Sequence, residues 1–354
     1  MRRLPVYFLI DVSESMVGEP IEMVQDGIAS IIKDLRTDPY ALETVWVSII
    51  AFAGKSQKIT PLIELYSFYP PRLPIGGGTS VGRALDFLMT DIDSSIKKTT
   101  LEEKGDWKPI IFMFTDGNPT DDVDSAFYRW NQKYRNKTNL VAITLGENAD
   151  TQILGRITEN VLQLKNTDSE SFKKFFKWVT ASIKTSSTSI SNTKQDGLLL
   201  APVTNGYLSK IDLSKIDLTK RLPLKIDDNF AVLLAKCQKT KRHYLIKYQK
   251  RVAPSEFKEF NVNTLDYKLS GAYPIDNNYF DLTEGEQNLK MINTSELTGF
   301  PICPCCGNQY GFSFCSCGKI ICTGEEEVTK CPWCGGEARF STGDGNFNVT
   351  RTRG

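Results

Sequence analysis

Three short stretches of the chain carry oxygen ligands in a spacing that could hold a metal ion. The first, Asp11-Val-Ser-Glu-Ser15, offers one carboxylate and two hydroxyls. A hydroxyl follows a run of three glycines at Thr79, and a carboxylate follows an apolar run at Asp116. Hard oxygen atoms suit Mg²⁺ or Ca²⁺ better than a soft metal. We therefore predict one site for Mg²⁺ or another divalent cation, formed by Asp11, Ser13, Ser15, Thr79 and Asp116.

The elements around these residues are expected to bring them to one edge of a sheet. Leu4–Ile10 and Ile110–Phe114 are apolar runs that predict buried strands, and each ends just before a carboxylate. Open α/β sheets bind ligands beyond the carboxyl ends of their strands. Taken singly, Ser15 and Thr79 could be helix N-caps, and Asp116 could be a turn residue. Their order and their places at strand ends favour the metal site.

The alternation of elements predicts the fold of this half of the chain. Apolar residues recur at spacings of three and four over 21–35, as on one face of a helix. The β-branched and aromatic run Thr44–Phe52 predicts a strand, and Ile59–Leu65 predicts an edge strand because it contains Pro61. Strands that alternate with helices indicate an α/β fold, a doubly wound and mostly parallel Rossmann-like sheet.

The oxygen ligands also resemble a known motif. The pattern Asp-x-Ser-x-Ser, then a distant Thr, then a distant Asp resembles the metal ion-dependent adhesion site (MIDAS) of von Willebrand factor A domains. The resemblance implies that Ser13, Ser15 and Thr79 ligate Mg²⁺ directly, whereas Asp11 and Asp116 act largely through water. It also implies that a carboxylate from a protein partner completes the coordination of the ion.

A second group of residues suits a softer metal. Eight of the nine cysteines lie between Cys303 and Cys334, and the ninth is Cys237. Two Cys-x₂-Cys knuckles, at 303–306 and 331–334, are typical of structural zinc sites. Tetrahedral zinc needs four ligands, so eight donors would fill two sites. Two Zn²⁺ ions are therefore expected.

The eighth zinc ligand is the open point. Seven cysteines remain when Cys305, inside the first knuckle, and Cys237 are set aside. His243, the only histidine in the chain, is the predicted eighth ligand, with Cys305 or Cys237 as its competitor. A single ion held by both knuckles is the other alternative. The predicted zinc ligands are His243, Cys303, Cys306, Cys315, Cys317, Cys322, Cys331 and Cys334.

The whole layout resembles the TerY proteins of bacterial tellurium-resistance gene clusters. That family joins a von Willebrand factor A domain to a C-terminal Cys-rich metal-binding domain, and the resemblance implies a Ser/Thr protein kinase and a PP2C-type phosphatase as partners. We predict a von Willebrand factor A domain over 1–187, a polar linker over 188–199, and a smaller β-rich zinc-binding domain over 200–354.

Composition narrows the class of function. With 43 basic and 42 acidic residues, the net charge of +1 gives no electrostatic case for nucleic acid or an anionic membrane. No apolar run approaches the roughly 18 residues of a membrane-spanning helix. The N-terminal apolar run stops at Asp11 without a cleavage site, so a cytoplasmic protein is expected.

These observations favour a protein–protein interaction module that is not an enzyme. One alternative is a phosphotransfer enzyme with Asp11 as nucleophile, which is disfavoured because Ser13 stands where such enzymes place a general acid. The other alternative is nucleic-acid binding through the zinc domain, which the near-zero net charge disfavours.

Overall fold

The computed structural model describes residues 2–116, 118–146, 151–165, 168–192, 200–202, 208–218, 229–254, 263–284, 291–323, 328–339 and 347–352. The chain divides into two compact units. The first unit comprises Met1–Val12, Glu19–Pro74 and Thr79–Lys225. The second comprises Ile226–Gly354 together with two short segments, Ser13–Gly18 (the serine loop) and Ile75–Gly78 (the glycine loop).

The first unit is built on a seven-stranded sheet. Its strands are β1 (Leu4–Asp11), β2 (Val45–Phe52), β3 (Ser56–Glu64), β4 (Ile110–Thr115), β5 (Asn139–Leu145), β6 (Asn160–Leu164) and β7 (Leu208–Lys210), in the spatial order β3-β2-β1-β4-β5-β6-β7. The five central strands are parallel, and the two edge strands are antiparallel to their neighbours. The predicted α/β fold with a mostly parallel sheet is confirmed, and β3 lies at the edge as its proline indicated.

Helices cover both faces of this sheet. They are α1 (Glu19–Leu35), α2 (Pro39–Thr44), α3 (Val81–Ser95), α4 (Asp124–Lys133), α5 (Thr151–Gly155) and α6 (Ser169–Asn192). On one face, α3 and α4 share a buried core with strand residues that include Met113. On the other, the Phe114 ring lies 5.8 Å from the Phe175 ring of α6. Successive strand residues point to opposite faces, so a strand buried on both is apolar throughout.

The end of α6 differs from the sequence prediction. The helix continues through Asn192, five residues into the segment 188–199 that was predicted as a linker, and 193–199 lie outside the described residues. Three serines in its second half, Ser182, Ser186 and Ser187, are buried, and the Ser187 hydroxyl lies 3.0 Å from Oγ1 of Thr44, the last residue of α2. Small polar side chains let two helices approach closely, whereas the same composition by itself resembles a linker.

The limit of the first unit differs as well. The prediction ended the first domain at residue 187, but β7 lies at 208–210 and pairs with β6 in the first sheet. The first unit therefore extends to Lys225. A three-residue edge strand has no periodicity that the sequence could reveal, because one alternation is too short to distinguish from a loop.

The second unit is smaller and rich in strands, as predicted. Its elements are β8 (Phe230–Lys236), β9 (His243–Pro254), β10 (Asn263–Pro274), α7 (Asn278–Leu282), β11 (Met291–Asn293), β12 (Leu297–Thr298), β13 (Ser313–Phe314), β14 (Ile320–Ile321), β15 (Val328–Lys330), β16 (Glu337–Arg339) and β17 (Asn348–Thr350). Six of these strands form a sheet in the order β12-β10-β9-β8-β14-β13, and two further pairs are β11-β17 and β15-β16. Strands β8 and β9 form an antiparallel hairpin.

No helix in the described part of the chain is both long enough and apolar enough to cross a membrane.

The packing of α1 against α6 predicts the effect of one substitution. A Cβ atom added at Gly27 would lie 1.9 Å from Cε2 of Phe176, so Gly27→Ala forces the two helices apart. Helix propensity alone would favour this change by about 1 kcal/mol. We expect instead a loss of about 1–3 kcal/mol from overpacking, measured as a lower midpoint of chemical denaturation. The control is Ser30→Ala at an exposed position of the same helix; a midpoint raised by Gly27→Ala would contradict the packing.

Candidate metal centres

The carboxylate of Asp11 is held at the carboxyl edge of the first sheet. Strands β1 and β4 pair in parallel with Ile10 opposite Phe114, so Asp11 and Thr115 end their strands side by side. Oγ1 of Thr115 donates a hydrogen bond to Oδ2 of Asp11 at 2.7 Å, and both residues are fully buried. A carboxylate oriented by a neighbouring hydroxyl is fixed before any ion arrives. The sequence prediction did not include Thr115, although its place before Asp116 was a signal.

The two predicted serine ligands follow Asp11 along the chain. Residues Glu14–Met16 form one turn of 3-10 helix, which places Ser13 and Ser15 on the same side of the serine loop. Their Oγ atoms lie 3.0 Å apart, with one hydroxyl donating to the other, and both side chains are buried. Two oxygen ligands in adjacent positions of an Mg²⁺ octahedron are separated by about 2.9 Å, since each Mg–O bond is about 2.0–2.1 Å. The spacing therefore fits Mg²⁺.

The fourth ligand, Thr79, is buried just ahead of α3. Its main chain exchanges two hydrogen bonds with Thr120: the Thr79 N–H donates to Oγ1 of Thr120 at 2.9 Å, and the Thr120 N–H donates to the Thr79 carbonyl at 2.8 Å. The segment after β4 thus fixes the position of Thr79 in the first unit.

A carboxylate from the same segment supports this arrangement. Asp121 accepts hydrogen bonds from the main-chain N–H groups of Gly82 and Arg83 in the first turn of α3. Burial raises the pKa of Asp121, and the hydrogen bonds from Arg83 and Gly82 oppose that rise. Negative charge is favourable at a helix N-terminus. Asp121 therefore stabilises the N-terminal turn of α3.

The fifth predicted ligand, Asp116, directly follows the last residue of β4 and is half-buried. Within the first unit, Asp11 and Asp116 therefore come from adjacent strand ends, with Thr79 ahead of α3. The carboxyl edge of the sheet gathers these three residues, and the two serines follow Asp11 by covalent connection.

Four cysteines in the second unit form the first sulfur cluster. Cys237, Cys303, Cys306 and Cys322 place their Sγ atoms within 4.8 Å of one another. The Cys306–Cys322 and Cys322–Cys237 separations are 3.9 Å and 3.8 Å. Zinc bonded to sulfur at about 2.3 Å in a tetrahedron separates its ligands by about 3.8 Å, whereas a disulfide requires about 2.05 Å. The cluster therefore has the dimensions of a zinc site.

A second cluster uses the remaining knuckle. Cys315, Cys317, Cys331 and Cys334 also lie within 4.8 Å of one another, with separations of 3.8 Å for Cys315–Cys334 and 3.9 Å for Cys317–Cys331. All nine cysteines are free of disulfides. Two four-sulfur clusters fit two zinc ions, so the alternative of a single ion bound by both knuckles does not match the structure.

Three of the cysteines, Cys303, Cys315 and Cys331, each open a tight turn that ends at a glycine. Gly307, Gly318 and Gly335 have φ angles of 76°, 76° and 75°, and each N–H donates at 2.9 Å to the carbonyl of the cysteine that opens its turn. Residues with a side chain rarely adopt this left-handed backbone conformation, so glycine is favoured at these three positions. Main-chain N–H groups also point at sulfur, as from Gln238 to Cys322 at 3.2 Å, which favours the negative thiolate that a metal needs.

The predicted role of His243 is wrong, because Cys237 takes that place. Cys237 follows β8 directly, and β8 pairs with β14, which ends immediately before Cys322. The two cysteines are thus brought together by strand pairing. The His243 ring instead packs 5.0 Å from the rings of Phe280 and Trp333. Burial, followed by the charge of Lys236, lowers the pKa of His243.

Cys305 lies outside both clusters, as expected, with its Sγ 4.0 Å from the His243 carbonyl. The signal for Cys237 was the cysteine count, since nine minus the one inside the knuckle leaves eight sulfur donors without a histidine.

The geometry predicts how zinc content responds to substitution. The purified chain should carry two zinc ions, and Cys237→Ser should reduce this number toward one because it removes a ligand from the first cluster. His243→Ala should retain two ions, and Cys305→Ser is the matched control that also retains two. Elemental analysis by mass spectrometry measures the ratio. Loss of an ion from His243→Ala, with Cys237→Ser unchanged, would contradict the assignment.

Comparison with known families agrees with both centres. Residues 6–178 match the von Willebrand factor type A domain, and residues 227–354 match the TerY-C metal binding domain. The first range contains the five predicted oxygen ligands, and the second contains all nine cysteines.

Several solved structures are similar to about half of the chain. One is a von Willebrand factor type A protein from Catenulispora acidiphila, with 16% identity over 52% of this chain and 43% of that chain, at a TM-score of 0.41. Another is the pilus adhesin SpaC from Lactobacillus rhamnosus GG, with 12% identity over 52% of this chain and 30% of that chain, at a TM-score of 0.42. A third is proximal thread matrix protein 1 from the mussel byssus with a zinc-occupied MIDAS motif. It has 15% identity over 52% of this chain and 46% of that chain, at a TM-score of 0.38.

This chain spans less than half the length of each of these three structures. The two family matches together account for most of its residues. The chain therefore joins a von Willebrand factor type A domain to a TerY-C metal binding domain, which is the composition of a TerY-type protein.

Proposed function

We propose that the chain is a metal-dependent interaction module in which Mg²⁺ at the five oxygen ligands binds a carboxylate of a protein partner. The observation that carries this proposal is the pair of buried serine hydroxyls 3.0 Å apart, two and four residues after the buried carboxylate of Asp11. Ser13, Ser15 and Thr79 would hold the ion directly, and Asp11 and Asp116 would hold it largely through water.

The chemistry of the ligands explains why an acidic partner is expected. Three neutral hydroxyls donate little charge to the ion, and the Asp11 carboxylate already accepts a hydrogen bond from Thr115. A divalent ion with few direct carboxylates remains electron-poor, so it favours an anionic ligand at its remaining position. An aspartate or glutamate side chain of a protein supplies that charge.

The same contact supports a binding role over phosphotransfer. A nucleophilic carboxylate must reach the phosphoryl group, but the Asp11 side chain is fully buried and its Oδ2 accepts a hydrogen bond from Thr115. Ser13 offers a hydroxyl where an acidic group would protonate the leaving group. We therefore propose no enzymatic activity, and no phosphate release from a model phosphoester is expected.

The zinc-binding part is proposed to be structural. A zinc ion with four thiolates has no open position for substrate, and such sites contribute folding free energy directly. In each of the two four-sulfur clusters, the four cysteines would fill the coordination of a zinc ion and leave no position for water or a substrate. In this proposal the zinc ions stabilise the second unit, and the oxygen site binds the partner.

The family resemblance suggests which partners to test. TerY-type proteins are linked to a Ser/Thr kinase and a PP2C-type phosphatase in a phosphorylation system associated with tellurium resistance. We propose these two enzymes as the proteins whose acidic side chains reach the ion, and a cytoplasmic setting for all three.

Metal binding is the first prediction of this proposal. The zinc-loaded chain should bind one Mn²⁺, used as a paramagnetic substitute for Mg²⁺, in addition to its zinc. Ser13→Ala removes one direct ligand and should weaken Mn²⁺ binding by about tenfold or more, equal to about 1.4 kcal/mol. Electron paramagnetic resonance titration gives the dissociation constant, and Ser94→Ala on α3 is the control. Equal affinity in Ser13→Ala would contradict the ligand assignment.

Partner binding is the second prediction. Purified kinase and phosphatase candidates should bind the chain in Mg²⁺ and lose most of their affinity in EDTA, with circular dichroism of the chain unchanged. Asp11→Ala should weaken both metal and partner binding by about a hundredfold, a loss of about 2.7 kcal/mol. Asp26→Ala, an exposed carboxylate on α1, is the matched control. Affinity that is equal in Mg²⁺ and EDTA would contradict a metal-bridged contact.

A further inference from the structure

Two buried charged groups of the second unit hold the serine loop: one, Lys247, contacts it from β9, and the other, Glu14, belongs to it. The ammonium group of Lys247, on β9, donates to the carbonyl oxygen of Ser15 and, at 3.3 Å, to that of Val17. It also lies 4.5 Å from the centre of the Phe230 ring. Lys247 is only 5% exposed. A buried ammonium costs free energy unless it is hydrogen-bonded, so these carbonyls are its compensating partners.

The second buried charge is the carboxylate of Glu14, which stands between the two serine ligands. The hydroxyl of Tyr279, on α7, donates a hydrogen bond to Oε1 of Glu14, and both side chains are buried. Burial, followed by the Glu14 charge, raises the pKa of Tyr279 well above its usual value. The phenol therefore remains a proton donor.

The glycine loop, which precedes Thr79, contacts Thr283, the residue that follows α7. The N–H of Gly77 donates to Oγ1 of Thr283 at 2.9 Å. A Cβ atom at Gly77 would lie 2.8 Å from Cγ2 of Thr283 and 3.1 Å from both Oε1 of Glu14 and the Tyr279 hydroxyl. Only glycine leaves room for this approach. Tyr279 and Thr283 thus contact the serine loop and the glycine loop, respectively.

Apolar packing completes the attachment of the serine loop. Val17 belongs to a buried cluster with Val232 of β8, Leu245 of β9 and Tyr279. Gly18 has a φ angle of +89°, and a Cβ atom there would lie 2.6 Å from Cζ of Tyr273. The loop is therefore held by polar contacts at Glu14 and Ser15 and by apolar contacts at its far end.

We propose that Lys247 and Tyr279 are positioning residues for the divalent-cation site, holding the serine loop so that the hydroxyls of Ser13 and Ser15 face the ion. This inference rests on the proposed function, because it assigns to the second unit a part in metal affinity at the oxygen site. Neither residue touches the ion. Each fixes the main chain or the intervening carboxylate of the loop that carries two ligands.

Charge has to be separated from position in the test. Removing the positive charge of Lys247 would by itself strengthen binding of a nearby cation, since like charges repel. Lys247→Arg keeps the charge, and the larger planar guanidinium cannot reproduce the contacts of a buried ammonium. Tyr279→Phe removes one hydroxyl without changing the charge or the shape of the ring. Both variants thus report on position.

The experiment measures Mn²⁺ affinity of the zinc-loaded full chain by electron paramagnetic resonance. Tyr279→Phe and Lys247→Arg should each raise the dissociation constant about tenfold, while zinc content and melting temperature stay close to those of the unaltered chain. Tyr248→Phe removes another buried hydroxyl, which donates to the Gly299 carbonyl at 3.2 Å. That variant and Lys250→Arg, on the same strand as Lys247, are the matched controls and should leave Mn²⁺ affinity unchanged.

The outcomes separate this inference from the function on which it rests. Unchanged Mn²⁺ affinity in Tyr279→Phe, with the unaltered chain binding one Mn²⁺, overturns the positioning role and leaves the proposed function standing. An unaltered chain that binds no Mn²⁺ overturns both. If Lys247→Arg alone loses zinc or melts early, Tyr279→Phe decides the result, because deleting one hydroxyl preserves the packing of the ring.

Discussion

The parallel pairing of β1 with β4 is the constraint on which the oxygen site depends. It ends two buried strands side by side, so that Thr115 of one can donate to Asp11 of the other. A shift of one residue in this register would turn one strand over relative to the other, since successive side chains point to opposite faces. Phe8 of β1 could then no longer lie on the same face as Phe112 and Phe114 of β4, where Phe114 packs against α6. Core packing and ligand placement therefore select the same register.

Much of the first unit could be predicted because its strands and helices are long and have clear patterns. The apolar runs before Asp11 and Asp116 are strands β1 and β4, and the glycine-rich segment before Thr79 leads into α3. The residue pattern did not predict the short helix α2, because its first residues are also typical of a helix end. The pair Asp38-Pro39 is typical of a helix stop, but Asp38 caps a new helix, α2, by accepting a hydrogen bond from the Ala41 N–H. Proline is compatible with the first turn of a helix.

The zinc sites show the limit of reasoning from spacing. The two knuckles were evident because their ligands are close in sequence, whereas Cys237 lies 66 residues before Cys303. Only the pairing of β8 with β14 brings Cys237 to Cys322. His243 begins β9, the strand next to β8, and its ring packs against Phe280 and Trp333. Long-range strand pairing decides which residue is such a ligand; the cysteine count left Cys237 as a candidate, and residue spacing alone did not select it.

The central claim is that a divalent ion binds at the serine hydroxyls beside Asp11. The most direct measurement is the anomalous scattering of Mn²⁺ in crystals of the zinc-loaded chain, recorded at the manganese edge to distinguish Mn²⁺ from zinc. The account predicts one manganese peak about 2.2 Å from the Oγ atoms of Ser13 and Ser15, an ordinary oxygen-ligand distance. A manganese peak elsewhere, or none at the serines in crystals saturated with Mn²⁺, would contradict it.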